Sequence, residues 1–190
     1  MSIMKYILLV GLLTSNLLAD QASLLKELYH LNKEQRTILI SSYKKGGYYD
    51  LGYTLTAICW AESRFGQYTM NLADGNQYKY KGSYGAYHTL LNTVCVRRHI
   101  ITNWRASRTA EKLVRDPGYA STEAIIELLY WDKYWQDKKV PRKWSHTVAS
   151  YNAGYRSYKY TAGKRYLANI KAKVKALKLY IKANNITTTE

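Results

Sequence analysis

Apolar and polar positions recur at helical spacing along almost the whole chain, and no stretch sustains the alternation of a strand. The spacing predicts a first helix over about Ser23 to His30 and a second over about Lys33 to Lys45, closed by Gly46 and Gly47. A third is expected over about Asp50 to Ser63. The loop NLADGNQYKYKGSYG separates it from a fourth over about Ala86 to Ile101. DPGY at 116–119 reads as a turn. The following STEAIIELLYWDKYW is apolar on nearly every face, which predicts a central place in the core. Pro141 opens a short helix that ends near YNAG, with Gly154 as its C-terminal cap. A last helix over about Gly163 to Ala183 carries Leu167, Ile170, Val174, Leu177 and Ile181 on one stripe. Its lysines Lys171, Lys173, Lys175, Lys178 and Lys182 fall mostly on the solvated faces. No repeat or low-complexity linker divides the chain, and 190 residues suffice for one substantial core. The pattern predicts a single all-α domain over 20–190.

The first 19 residues stand apart. MSIMKYILLVGLLTSNLLAD has Lys5 ahead of a short apolar run and Ala19 at a cleavage position, the pattern of a secretory signal peptide. The apolar run is too short for a comfortable membrane span, and no Cys follows it for lipid attachment. The expected destination is outside the cytoplasm. Lys and Arg number 29 against 13 Asp and Glu, a formal net charge of +16 that draws the chain to a polyanion. Nucleic acid, anionic membrane and anionic cell-wall polymer all fit that charge; export argues against nucleic acid and for the cell envelope. The 20 Tyr and 5 Trp include side chains able to stack on sugar rings while keeping a polar tip wet. Cys59 and Cys95 permit one disulfide in an oxidising compartment; two buried thiols are the alternative. The 4 His are scattered, and neither a metal-ligand spacing nor a cofactor motif is present.

One stretch of the third helix carries chemistry. In AICWAESRFG, at about 100° per residue, Leu51, Leu55, Ile58, Glu62 and Phe65 share one side. Glu62 therefore points with the apolar residues, in the last helical turn. Desolvation and the negative end of a helix dipole both disfavour an ionised carboxylate. A carboxyl that stays protonated near neutrality is what general-acid cleavage of a glycosidic bond requires. A purely structural ion pair with one of the many basic residues is the competing role.

ESRF at 62–65, SYGAYH at 83–88 and ASYNAG at 149–154 follow in that order. Together they resemble the motif series of the soluble lytic transglycosylases, which share the lysozyme-like fold: Glu-Ser before an aromatic, then Gly-Leu-Met-Gln, then Ala-Tyr-Asn-Ala-Gly. Tyr166 in GKRYLANI resembles a further Tyr of that family's final helix. The resemblance covers roughly residues 51–175. It implies Glu62 as the single acid and base, and Ser63 as the group that orients a sugar acetamido. It implies Tyr151 beside Glu62 and the reacting ring, and Asn152 on substrate or loop. It also implies that Gly85 brings backbone to the cleft, lined by Ala86, Tyr87 and His88, with Ser83 a polar neighbour of Glu62. The chain departs from the family where Ala86, Tyr87 and His88 replace Leu-Met-Gln. Tyr87 is expected to offer a sugar-contacting surface, and His88 either donates a hydrogen bond as Gln does or packs on the fourth helix.

The activity this resemblance implies is non-hydrolytic cleavage between N-acetylmuramic acid and N-acetylglucosamine, closing a 1,6-anhydro ring with one carboxylate, no metal and no cofactor. The implied partners are peptidoglycan strands, with cell-envelope machinery as a further candidate, in a bacterial periplasm or envelope. Asp74 is the candidate second carboxylate for a hydrolytic muramidase, though in a loop rich in Asn and Gly it also reads as a turn residue. An inactive wall-binding protein that keeps the cleft is the alternative outside enzymology.

Overall fold

Capping chemistry sets the first helix boundaries. In the computed structural model, which describes residues 20–157 and 161–188, helix α1 covers residues 20–29. The expected signal peptide lies outside the described residues. Asn32 starts α2 (Lys33–Gly47) with a reciprocal box: its Oδ1 accepts from the Gln35 N–H at 2.8 Å, and Gln35 Oε1 accepts from the Asn32 N–H at 3.1 Å. Helix α3 (Gly52–Ser63) is buried on nearly every side, from Thr54 to Trp60 and again at Ser63, and it packs against α2 and α8. Its hydroxyls tolerate burial because they bond back to the helix: Thr56 Oγ1 donates to the Gly52 carbonyl at 2.7 Å. The one-sided stripe expected here is thus replaced by a central helix. Conversely, α6 (Pro117–Asp137), expected to be central, is two-sided. Ala120, Ala124, Ile125 and Leu128 face inward, while Leu129 and Tyr130 are exposed.

The fourth helix is shorter than its periodicity predicts. Residues 86–90 belong instead to a small antiparallel sheet of β1 (Met70–Asn71), β2 (Ser83–Tyr84) and β3 (Thr89–Leu90), in that spatial order. Tyr84 pairs with Thr89, so Gly85 to His88 form the hairpin loop. Gly85 at φ +81° and His88 at φ +45° cannot continue a right-handed helix, and the His88 N–H closes the turn on the Gly85 carbonyl at 3.1 Å. Helix α4 therefore starts only at Leu91 and runs to Arg97.

Helix α5 (Asn103–Arg115), not among the helices expected from the sequence, is capped by Thr102 and buries Ala106, Thr109, Ala110 and Leu113. DPGY proves to be a helix start rather than a turn. Asp116 Oδ1 accepts from the Tyr119 N–H at 2.8 Å, and Pro117 takes the first position of α6. Helix α7 (Lys143–Ala153) ends on Gly154 as predicted, and α8 (Thr161–Ala183) follows. The described chain is mostly helical, in keeping with the all-α expectation. No described helix is long and apolar enough to cross a membrane.

One buried ionic cluster fixes the body. Fully buried Glu123 on α6 accepts from Arg97 at 2.7 Å and from Arg98 at 2.6 and 3.0 Å, tying α4 to α6. Removing one partner of such a group costs about 3–5 kcal/mol, because the charge left behind is buried. The disulfide allowed by the sequence does not form: Cys59 and Cys95 are both buried and free. Cys59 sits inside α3 between α2 and α8, whereas Cys95 lies on α4 against α5 and β3. Burial pushes the Cys59 thiol up to about 12, so it stays protonated.

Gly85 gives a stability test. A Cβ there would lie 2.4 Å from the Leu113 carbonyl oxygen of α5, on a backbone already at φ +81°. Gly75, at φ +64°, would bring its Cβ against the side chains of Leu90 and Tyr78 but no backbone. Gly85→Ala should lose about 3 kcal/mol or more and Gly75→Ala about 1 kcal/mol in urea unfolding. Equal losses would contradict the close packing of the hairpin on α5.

Candidate active site

Helix α3 ends in a left-handed exit. Arg64, Phe65 and Gly66 have φ of +50°, +57° and +81°, and the Phe65 N–H reaches back to the Cys59 carbonyl at 3.3 Å. Buried Phe65 stacks on Trp60, and Gln35 Nε2 donates to the Arg64 carbonyl at 2.9 Å. Glu62 is held just ahead of this exit, where it faces the β2–β3 hairpin rather than solvent.

Ser63 makes the connection. Its hydroxyl lies within hydrogen-bond distance of the Ala86 carbonyl at 2.6 Å and the Cys59 carbonyl at 3.1 Å, and it accepts from the Gly66 N–H at 2.7 Å. One buried side chain therefore binds the helix end, its exit and the hairpin loop. The loop then presents His88, whose Nδ1 stands 3.4 Å from Glu62 Oε2 and whose Nε2 is 2.8 Å from the Tyr68 carbonyl. The two side chains are 11% and 16% exposed respectively, enough for contact with a ligand but little screening by water. Burial opposes a charged His88. The Glu62 hydrogen bond, the Tyr68 carbonyl and the charges of Glu62 and Asp74 outweigh it, and its pKa rises above the ordinary value.

Two tyrosines complete the ring. Tyr151 on α7 donates its hydroxyl to the Tyr87 carbonyl at 2.9 Å. Tyr166 on α8 has a buried hydroxyl that makes no hydrogen bond of ordinary geometry, yet Glu62 is close enough to act on it. Burial first, and then the Glu62 charge, push both phenols well above their usual range, so both are neutral donors. Asn152 is exposed on the last turn of α7.

The structure thus gathers Glu62, His88, Tyr151 and Tyr166, while no contact among the described residues ties Asn152 to them. It withdraws the other expected contacts from a ligand. Ser63 is fully buried and saturated by the backbone. Buried Tyr87 exchanges a hydrogen bond with Ser42 at 2.6 Å and offers no surface to a sugar. Ala86 is buried as well, its carbonyl taken by Ser63. Gly85 gives close approach to α5, not to a cleft. Ser83 is buried and donates to Asp74 Oδ2 at 2.6 Å rather than standing beside Glu62.

Two contributors were not anticipated. The Tyr68 carbonyl has no side-chain signature. Glu127, four residues before Trp131 on one helix face, accepts from Trp131 Nε1 at 2.8 Å and from Arg97 at 3.1 Å, and its charge reaches Tyr151. A cavity of about 690 Å³ lined by Tyr53, Thr54, Trp144, Lys171 and Lys175 opens at the opposite end of α3, away from Glu62. No protein-family model, curated protein or solved structure matches the chain.

If Ser63 is structural, Ser63→Ala strands a buried carbonyl and a buried N–H. Urea unfolding should show a loss of about 2–4 kcal/mol, as expected for two unsatisfied groups. A change under 0.5 kcal/mol would mean that the hydroxyl does not hold the loop.

Proposed function

We propose that the protein is a peptidoglycan lytic transglycosylase with a lysozyme-like fold, acting in the bacterial cell envelope on the β-1,4 bond between N-acetylmuramic acid and N-acetylglucosamine. The observation that carries this reading is a largely buried carboxylate whose ion-pair partner, among the described residues, is a histidine rather than an Arg or Lys. Glu62 lies at the end of the central helix, ringed by His88, Tyr151 and Tyr166. The neighbouring carboxylates are engaged: Asp74 by the Ser83 hydroxyl, Glu127 by Arg97 and Trp131. A hydrolase of the usual kind places a second carboxylate to act as nucleophile or to activate water. With one, the substrate's own hydroxyl serves as nucleophile.

In this scheme Glu62 gives its proton to the glycosidic oxygen, and the bond from the muramyl C1 to that oxygen breaks. The leaving sugar departs with a free 4-hydroxyl. The muramyl 6-hydroxyl oxygen then bonds to C1 and returns its proton to Glu62, so the enzyme is restored and no water is consumed. In the proposed scheme Tyr151 and the substrate acetamido stabilise the positive charge that develops at C1. The net charge of +16 favours retention on a glycan whose lactyl groups and peptide stems carry carboxylates.

Digestion of purified sacculi by the protein and by Glu62→Gln tests this. Muropeptides lighter by one water, without a reducible muramyl end, should appear with the protein and fall by about 10²–10⁴-fold with the variant. Fully hydrated, reducible products would assign a muramidase and point to Asp74. Binding without release would assign a wall-binding role.

A further inference from the structure

The resemblance to a family with Gln at this position leaves the chemistry of His88 open, and the hydrogen bonds around its ring constrain that chemistry. The Tyr68 carbonyl is only an acceptor, so the 2.8 Å contact requires the hydrogen of the imidazole to sit on Nε2. Nδ1, 3.4 Å from Glu62 Oε2, is then a bare lone pair in the neutral ring and an N–H only in the cation. A bare Nδ1 facing an ionised carboxylate sets two acceptors against each other with little water between them. One proton on that line turns repulsion into attraction, at whichever end it resides.

We propose that Glu62 and His88 form a pair that holds one shared proton between Oε2 and Nδ1, with the Tyr68 carbonyl fixing the tautomer and His88 acting as a positioning residue for the proton that Glu62 delivers. The backbone supports the arrangement. His88 is held at φ +45° by its own N–H on the Gly85 carbonyl, and Ser63 grips the adjoining Ala86 carbonyl, so the ring is aimed by the hairpin rather than by a flexible stem.

Phenols, a thiol and one further carboxylate surround the pair. Tyr151 from α7, Tyr166 from α8 and Tyr87 from the hairpin are buried phenols held well above their usual range. The Cys59 thiol of α3 is pushed up to about 12 by burial. Asp74, from the loop between β1 and β2, adds a negative charge that favours a protonated His88. Titration values measured for either partner therefore belong to the pair. For catalysis this arrangement keeps a proton on the Oε2–Nδ1 line, which a Gln in place of His88 could not hold. This consequence rests on the glycan-cleaving reading; the pair itself does not.

The test is a ¹⁵N-histidine NMR titration of the full chain and of Glu62→Gln, joined to pH profiles of muropeptide release for the protein and His88→Gln. The pair requires the Nε2–H tautomer in the neutral ring and a His88 pKa above 6.5 that falls by about one unit or more when Glu62 loses its charge. An Nδ1–H tautomer, or a His88 titration unmoved in Glu62→Gln, overturns it. In the pH profile, His88→Gln keeps a hydrogen-bond donor but cannot hold the proton. Release should stay within about 3-fold at pH 5 and fall about 10-fold or more at pH 8, the basic limb having moved to lower pH. A uniform loss at every pH overturns the proton-holding role and leaves a structural one. If neither protein releases product at any pH while the NMR signature is present, the enzyme reading fails and the pair stands.

Discussion

The hydroxyl of Ser63 is the constraint on which the site depends. It is buried at the last turn of the central helix and joins three parts of the chain at one atom: the helix end, its left-handed exit and the hairpin loop. Without that junction the Ala86 carbonyl loses its hydroxyl partner in the protein interior, and the loop loses its direct tie to the helix turn that carries Glu62. The cost of leaving such groups unpaired exceeds what one hydrogen bond adds. That asymmetry makes the geometry stiff. The Glu-Ser pair therefore divides its work, with the carboxylate facing His88 and the hydroxyl holding the backbone.

Strain collects around the same junction. Arg64 and Phe65 on one side of Glu62, and His88 opposite it, are all non-glycine residues with positive φ. Each such residue costs of order 1 kcal/mol or more and persists only where neighbours determine the conformation. Gln35 bonding to the Arg64 carbonyl, Phe65 stacked on Trp60 and His88 bonded to the Tyr68 carbonyl are those neighbours. Behind them lie neutral phenols and a neutral thiol. The carboxylate and imidazole are thus the responsive pair in a cage of groups whose protonation is fixed.

Much of the scaffold was legible in the residues. Asn32 with Gln35 three positions later, and the glycine after Asn152-Ala153, mark helix ends through chemistry that acts locally. Glu62 in the final turn of an apolar helix was legible for the same reason. Helix α5 is amphipathic and was legible too: Ala106, Thr109, Ala110 and Leu113 share one buried face opposite its exposed arginines. What was not legible came from tertiary packing. The segment 86–90 has helical periodicity, yet Gly85 pressed onto the Leu113 carbonyl forces a hairpin. That hairpin turns Tyr87 inward to Ser42 and so exchanges the expected sugar contact for a core contact. The carbonyl of Tyr68, which sets the His88 tautomer, leaves no trace in residue identity at all.

The central claim is that one carboxylate suffices because water takes no part in the bond exchange. Isotope labelling addresses this directly. Sacculi digested by the protein in H₂¹⁸O, with released muramyl ends analysed by mass spectrometry, should carry no ¹⁸O at the cleaved position. One ¹⁸O atom per bond cleaved would contradict the account, because water would then be the nucleophile.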